Sequence, residues 1–197
     1  MTYNKDQKII LTDCDGVLLG WEIAFHEWMK SRGHVRLNSN AYSLHDHYAG
    51  MSAEQAMRDV TEFNGSSWML NLPAFRDARV GVAKLVEAGY TFHAITAMGT
   101  DPYAAELRQM NLDRLFGHDV FTKLTVVELN GSKREALVPY RGSGLPWIED
   151  SAGHAADGVE MGLDVYLMDH LYNQDKVDGT KRVNSWSDIC DLMLNIN

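Results

Sequence analysis

The sequence predicts an α/β protein built on a doubly wound parallel sheet, with a small inserted helical cap. Short apolar runs of strand length alternate with segments of helical period, and parallel strands need such crossover helices. Between residues 19 and 74 this alternation stops, and the apolar residues there repeat with helical spacing only. We therefore expect a core formed by residues 1–18 and 75–197, with residues 19–74 inserted as the cap.

The first predicted strand lies in the run KIILTDCDG, residues 8–16, and ends in two carboxylates. Ligands of open α/β sheets bind outside the carboxyl ends of the strands, so we expect Asp13 and Asp15 in a site. Alternation along the chain points both carboxylates to one side and the small, buried Cys14 to the other. Gly16 lets the chain turn away without steric cost. A divalent cation would relieve the repulsion between the two acids, and a plain acidic loop is the alternative.

Two later strand-like runs also end in polar residues. Residues 90–96 end at Thr96, whose hydroxyl can donate a hydrogen bond to a phosphate oxygen. Residues 146–151 contain Glu149 and Asp150 after an apolar run. This pair could be a solvated strand end, but its position at the expected sheet edge favours metal binding.

Two lysines compete for the place beside a bound phosphate. Residues 132–135, Ser-Lys-Arg-Glu, have the spacing of a capping box, which would put Lys133 in the first turn of a helix. Its charge would add there to the positive end of the helix. Lys123 follows a strand-like run at residues 119–122 and is the alternative. We favour Lys133 because a helix start supports it.

The segments between the strands have helical patterns. One apolar face repeats over residues 75–88, and Gly89 ends that helix. Residues 101–102, Asp-Pro, supply an N-cap and a proline at the first helical position. A further strand is predicted over residues 164–168 and a final helix over residues 186–196.

The cap segment is predicted to contain two helices. Gly33 can end the first, and the second begins at a capping box over residues 52–55. The first helix has an aromatic face that we expect to be core packing. His45-Asp46-His47 offers metal ligands, but no third ligand is apparent and a polar loop is the favoured interpretation. The residues of the aromatic face are Trp21, Ala24, Phe25 and Trp28.

Length and composition favour a small soluble enzyme. The chain has 197 residues and a net charge of −9 with no basic run, which argues against binding a nucleic-acid polymer. It has no long apolar run, and residues 1–6 are too polar for a signal peptide. We therefore expect a cytoplasmic monomer or homodimer with no membrane association. Cys14 and Cys190 give no disulfide framework.

The order of the candidate residues resembles the four motifs of the haloacid dehalogenase (HAD) superfamily, and the match spans almost the whole chain. The resemblance implies a HAD-like, Rossmann-type core, with the commonest kind of cap inserted after the first aspartates. It implies that Asp13 is the nucleophile and that Asp15 is the general acid and base. Thr96 and Lys133 would hold the transferring phosphoryl group, and Asp150 would hold Mg²⁺.

The same resemblance fills in the rest of the site. Asp13 and the backbone carbonyl of Asp15 would also bind Mg²⁺, with Glu149 contributing next to the substrate. Ala97 takes the phosphate-binding position after the motif threonine. The family usually has serine there, so one hydroxyl is missing.

Two segments are similar to the 5'(3')-deoxyribonucleotidases: residues 166–173, and residues 68–73 ahead of the long helix. Trp68 is then the cap aromatic expected to stack on a base. The predicted reaction is magnesium-dependent hydrolysis of a phosphate monoester through an aspartyl-phosphate. The predicted partner is a small phosphorylated metabolite such as a (deoxy)nucleoside monophosphate.

Other activities of this fold are alternatives. A sugar-phosphate phosphatase or a phosphomutase would use the same acids. A phosphonate hydrolase would need a cap lysine for a Schiff base, and Lys30 is the one lysine in residues 19–74. Dehalogenases lack the second aspartate, so Asp15 disfavours that reaction. The intact set of site residues argues against a non-enzymatic binding module.

Overall fold

The computed structural model describes residues 3–37, 41 and 43–194. Within these residues one six-stranded sheet forms the centre, and all neighbouring strands in it are parallel. The order across the sheet is β3-β2-β1-β4-β5-β6. The strands are β1 (Ile9–Thr12), β2 (Thr91–Thr96), β3 (Phe121–Val126), β4 (Pro146–Glu149), β5 (Asp164–Met168) and β6 (Thr180–Val183).

Helices connect the strands and form the inserted segment. The final helix is described as far as Leu194, and residues 195–196, to which its prediction extended, lie outside the described residues. No helix in the described ranges is long and apolar enough to cross a membrane. The helices are α1 (Trp21–Ser31), α2 (Ala53–Asn64), α3 (Ala78–Glu87), α4 (Pro102–Phe116), α5 (Arg134–Leu137), α6 (Ala152–Glu160) and α7 (Trp186–Leu194).

Strand side chains alternate between two apolar layers, as the period of a strand requires. In β1, Ile10 packs into a layer with residues of α3, α4 and α7, whereas Ile9 and Leu11 pack on the opposite face with residues of α5 and α6. In β4, Ile148 and Trp147 divide in the same way. Helices thus cover both faces, and the predicted doubly wound sheet is confirmed.

The chain leaves the sheet after β1 and returns before α3 through two adjacent segments. Gly20 N donates a hydrogen bond to Pro73 O at 2.8 Å, and Phe75 N donates one to Leu18 O at 2.8 Å. The two connections therefore lie side by side at the predicted limits of the cap. The division into core and cap stays a prediction, because buried aromatics of α1 and α2 share one apolar cluster with α3 and α4.

Predicted N-caps are present at two helices. Asp101 Oδ1 accepts a hydrogen bond from Tyr103 N at 3.0 Å, and Ser52 Oγ accepts one from Gln55 N at 3.1 Å. These contacts satisfy backbone donors that have no partner within the helix.

The predicted capping box before α5 is wrong. Lys133 is itself the N-cap residue, and Ser132 Oγ accepts a hydrogen bond from Arg134 N instead. The helix begins one residue later than expected and is a single turn, so its dipole gives little support to a ligand. Lys123 lies inside β3, a strand that begins and ends later than the run at residues 119–122 suggested.

Candidate active site

Residues from three neighbouring strand ends meet beside a cavity of about 620 Å³. Asp13 follows β1, Thr96 ends β2, and Glu149 and Asp150 lie at the end of β4. The central position of β1 between β2 and β4 brings these groups together. Lys133 reaches the same cavity from the turn before α5.

A buried lysine holds the first aspartate in place. Lys133 Nζ lies 2.7 Å from Asp13 Oδ1 and 2.8 Å from Glu149 Oε2, and the residue is only 1% exposed. Cys14 N donates a second hydrogen bond to Asp13 Oδ1 at 2.7 Å. One carboxylate oxygen of Asp13 is therefore engaged twice, and the other is left for chemistry.

The structure separates the two candidate lysines. Lys123 is exposed, and its Nζ donates a hydrogen bond to Tyr140 Oη at 3.2 Å. It does not line the cavity. The lysine beside Asp13 is Lys133, held by its ion pairs and not by a helix end.

Thr96 presents a hydroxyl that no described residue pairs with. Its Oγ1 is buried and has no hydrogen-bond partner in the part of the chain that the structure describes. A buried polar atom is rarely left unpaired, because the unmade bond costs about 1–3 kcal/mol. Ala97 lies next to it in the cavity wall and adds no hydroxyl. The position suits an oxygen of a bound anion.

Three carboxylates converge at the floor of the cavity. One oxygen each from Asp13, Glu149 and Asp150 lies within 4.8 Å of the others. Burial, followed by repulsion from Glu149, raises the pKa of Asp13 to about 7. Burial and repulsion from Glu149 and Asp13 hold the pKa of Asp150 well above its ordinary value.

The acid cluster therefore fits a hard divalent cation. Burial alone would raise the pKa of Glu149, but the charges and hydrogen bonds of Lys133 and His154 together outweigh it and lower that pKa to about 2. Lys133 thus compensates Glu149, while Asp13 and Asp150 still lack positive charge. Carboxylate oxygens are the ligands that Mg²⁺ prefers, so these two acids suit it.

A loop after β5 fixes Asp150. Tyr172 Oη donates a short hydrogen bond to Asp150 Oδ2, and Asn173 Nδ2 donates one to Asp150 O at 2.7 Å. His170 Nε2 donates to Gly16 O at 2.8 Å. Gly16 has a φ of 76°, and a β-carbon there would collide with the Asp150 carboxylate. Glycine is therefore required at this turn for two reasons.

Asp15 has a partner that the sequence analysis missed. Arg108 of α4 donates two hydrogen bonds to its carboxylate, from Nη1 to Oδ1 at 2.5 Å and from Nη2 to Oδ2 at 2.9 Å. Arg108 is fully buried, whereas the Asp15 side chain keeps 29% of its surface exposed. The signal that was missed is the helical spacing of Arg108, which shares the buried face of α4 with Ala104 and Leu107.

Cys14 points away from this chemistry. It is fully buried in the apolar layer against α3 and α7, as expected from strand alternation. Burial raises the pKa of its thiol to about 12. The prediction of a small buried residue is confirmed.

The opposite wall of the cavity comes from the inserted segment. Trp68, predicted to stack on a base, is 40% exposed, contacts Phe63 at 6.4 Å between ring centroids, and does not line this cavity. Lys30 is also outside it and lies on the surface beside Glu27. The segment's side chains in the wall include Trp21, Glu22, His45, His47, Met57 and Val60.

Comparison with known sequences gives one uncharacterized relative. The chain is 26% identical over 190 residues to an uncharacterized 32.4 kDa protein in the Gp30-rIII intergenic region of Enterobacteria phage T4. The match covers 91% of this chain and 67% of that protein. No family model matches the sequence.

Solved structures of HAD-like hydrolases share the fold. A haloacid dehalogenase-like hydrolase, SP0104 from Streptococcus pneumoniae, superposes with a TM-score of 0.69 at 12% identity, covering 94% of this chain and 98% of that one. A D,D-heptose 1.7-bisphosphate phosphatase from B. bronchiseptica, complexed with magnesium and phosphate, gives 0.60 at 15% identity, covering 96% and 99%. The HAD-like, Rossmann-type fold expected from the sequence is therefore confirmed.

Proposed function

We propose that the protein is a magnesium-dependent phosphate monoester hydrolase that acts through an aspartyl-phosphate on Asp13. One arrangement carries this proposal: Lys133 holds Asp13 by one oxygen, beside the Thr96 hydroxyl, which has no partner among the described residues. A nucleophilic carboxylate, a buried cation and an unused donor together suit a transferring phosphoryl group. The HAD-like fold and a fold neighbour solved with phosphate support the same reaction class.

The roles of the two aspartates follow from their contacts. Asp13 Oδ1 is engaged by Lys133 and a backbone amide, so Oδ2 attacks phosphorus. As the new oxygen–phosphorus bond forms, the bond to the leaving oxygen breaks, and Asp15 protonates that oxygen. Asp15 then removes a proton from water, which attacks phosphorus, releases inorganic phosphate and restores Asp13. Lys133 and Thr96 neutralise and orient the phosphoryl oxygens throughout.

The cation has its own set of ligands in this proposal. Asp13, Asp150 and the backbone carbonyl of Asp15 would hold Mg²⁺, while Glu149 keeps Lys133 in place. The bound ion supplies positive charge to the phosphoryl oxygens.

The variant Asp13→Asn tests the nucleophile. The amide cannot attack phosphorus, so turnover of a generic aryl phosphate in the presence of Mg²⁺ should be lost while the fold is retained. The exposed Asp119→Asn is the matched control and should keep wild-type turnover. Quenched wild-type enzyme should carry phosphate on the peptide that contains Asp13. Phosphate trapped on another residue would refute the proposal.

We further propose that the substrate is a (deoxy)nucleoside monophosphate. The support is the similarity of residues 68–73 and 166–173 to the deoxyribonucleotidases, together with a cavity roomy enough for a nucleotide. The inserted segment contributes the indole of Trp21 to the cavity wall, where it stacks on Phe25 with 4.7 Å between ring centroids. A base packed there would gain binding energy that a small sugar phosphate lacks.

A comparison of substrates tests this preference. Nucleoside monophosphates should be hydrolysed with higher kcat/KM than small sugar phosphates. Trp21→Ala should reduce the ratio of nucleotide to aryl phosphate turnover by roughly tenfold, the value of about 1–3 kcal/mol for a stacked base. Trp68→Ala discriminates the two tryptophans, because a drop in the ratio there alone would make Trp68 the stacking residue. A preference for sugar phosphates would contradict the nucleotide proposal and leave the hydrolase proposal standing.

A further inference from the structure

We propose that Glu22, His26 and His47 form a second metal site in the cap, for a borderline divalent cation such as Zn²⁺. The three residues each offer one ligand atom, and these atoms lie within 4.8 Å of one another. Both histidines are buried, and Glu22 is half-buried. The site is separate from the acid cluster and does not depend on the proposed hydrolase activity.

The three ligands come from two elements. Glu22 and His26 are one helical turn apart on α1, and His47 ends the short turn Leu44–His47. His26 Nε2 lies 2.8 Å from Glu22 Oε1, and His47 Nδ1 lies 3.8 Å from the same oxygen. Ligands of a tetrahedral Zn²⁺ ion are about 3.3 Å apart, given bonds of about 2.0–2.1 Å. Small side-chain shifts would therefore place all three around one ion.

The remaining ring nitrogens carry the contacts that metal-binding histidines usually have. His47 Nε2 donates a hydrogen bond to Ala41 O at 2.8 Å, so in the neutral ring Nδ1 has a free lone pair that can bind a cation. In this structure His26 Nε2 donates a hydrogen bond to Glu22 Oε1, and Nδ1 accepts a short one from Tyr48 Oη. A cation at Nε2 would replace the proton there, and Nδ1–H would then donate to Tyr48 Oη. Metal-binding histidines typically use their second nitrogen in this way, since the outer contact fixes ring orientation and tautomer.

An unpaired atom points to a missing ligand. His47 Nδ1 is buried and has no hydrogen-bond partner among the described residues, although the His47 side chain is only 5% exposed. A cation bonded to Nδ1 would satisfy it. Glu22 and His47 also line the cavity, so a solvent or substrate oxygen could complete the coordination.

The donor set selects a different metal from the acid cluster. Two imidazoles and one carboxylate suit Zn²⁺ or Co²⁺, whereas an all-carboxylate set suits Mg²⁺. Arg36 also donates to Glu22 Oε1, at 2.8 Å. Arg36 is half-exposed, and Glu22 has a second oxygen for this contact when Oε1 binds a cation.

Zinc titration of the intact protein tests the site. With excess Mg²⁺ present and a chromophoric chelator as competitor, the wild-type chain should bind one Zn²⁺ tightly. His26→Ala and His47→Ala should weaken that binding by roughly a hundredfold or more, since each removes a direct ligand. His45→Ala is the matched control: His45 is next to the site, 37% exposed in its side chain and outside the ligand set, so binding should be unchanged. Asp150→Asn should also retain the Zn²⁺.

A second measurement needs no variant. Crystals of wild-type protein grown with Mg²⁺ and soaked in ZnCl₂ should give an anomalous difference peak at the zinc edge between Glu22, His26 and His47. Co²⁺ added to the protein should give visible absorption bands of a four-coordinate ion. A zinc peak confined to the acid cluster, or tight Zn²⁺ binding lost in Asp150→Asn but kept in His47→Ala, would overturn the proposal.

Discussion

At the scale of single residues, the ion pair between Arg108 and Asp15 depends closely on the shape of the arginine side chain. A guanidinium donates two parallel hydrogen bonds to one carboxylate, and a lysine ammonium cannot reproduce that fork. We expect Arg108→Lys to lower kcat roughly tenfold or more, because Asp15, the proposed general acid, must be held where the leaving oxygen forms. KM should change little, since Arg108 acts through Asp15.

Steady-state kinetics on a generic aryl phosphate checks this split between kcat and KM. Arg79→Lys, an exposed change on α3, is the control and should leave both constants unchanged. A rise in KM with kcat preserved would show that Arg108 serves substrate binding instead of positioning Asp15.

The sequence could predict the acids of the site but not the residues that hold them. Asp13 and Asp150 follow apolar strands directly, so local pattern is enough to place them at the sheet edge. Arg108 and Tyr172 reach the same cluster from α4 and from the loop after β5. Their contacts join residues far apart in the chain, and neither carries a local signal of its partner.

At the scale of elements, one asparagine joins the inserted helices to the sheet. Asn64 Nδ2 donates to Met98 O at 3.1 Å, just beyond Thr96, and its Oδ1 accepts from Trp21 Nε1 at 2.8 Å. Asn64→Ala should loosen α1 and α2 from the core and cost about 1–3 kcal/mol, the price of leaving buried polar groups unpaired. Hydrogen exchange should accelerate in α2 more than in α3.

Thr61→Ala provides the control on the same helix. Its hydroxyl is exposed, and among the described residues it donates to Met57 O within the same helix. Little change in exchange is expected for it. Equal acceleration in α2 and α3 after Asn64→Ala would mean that the whole molecule is destabilised and that Asn64 does not hold α1 and α2 in particular.

Long, periodic elements were predicted better from the sequence than short ones. The long helix α4 began at the Asp-Pro signal, because an N-cap and a fixed proline φ act locally. The one-turn helix α5 did not begin where its capping-box signal predicted. So short a helix has little intrinsic preference for beginning at Lys133 or at Arg134. What fixes Lys133 there is its contact with Asp13 and Glu149, a tertiary effect.

At the scale of the whole molecule, the buried acids should make metal-free stability depend on pH. Burial raises the pKa of Asp13 from 3.8 to about 7 in the folded chain. A carboxyl with a raised folded pKa contributes stability below its ordinary pKa, and this contribution is lost as pH rises through the folded value. Between pH 5 and 8, chelator-treated Asp13→Asn should therefore gain stability relative to wild type. Wild type and Asp13→Asn share all other titrating groups, so the contributions of those groups cancel in the difference between the two Tm values.

Mg²⁺ should reverse this trend. In the proposed site it would bind the ionised acids, so it should raise the wild-type Tm more at pH 8 than at pH 5, and raise that of Asp13→Asn less. Thermal unfolding by calorimetry at the two pH values measures both effects. A difference in Tm that does not move with pH would contradict the raised pKa of Asp13.

The sequence did not predict how the inserted helices pack against the sheet and its flanking helices. Helical spacing identified the aromatic face of α1, but not that Trp21 would line the cavity while Trp68 would not. Likewise His47 had no visible third ligand until the fold brought it to Glu22 and His26. These contacts depend on how the inserted helices pack against each other and against the sheet, and no local sequence pattern determines that packing.

The cysteine between the two aspartates has a practical consequence. Cys14 and Cys190 are both fully buried, and burial raises the pKa of each thiol. An alkylating reagent needs the exposed thiolate, so it should react only when the surrounding structure opens. The alkylation rate of Cys14, followed by peptide mass spectrometry, would then report how often the end of β1 opens, and that of Cys190 would report the opening of α7. The native chain thus carries its own chemical probe of active-site breathing, with no label to be engineered.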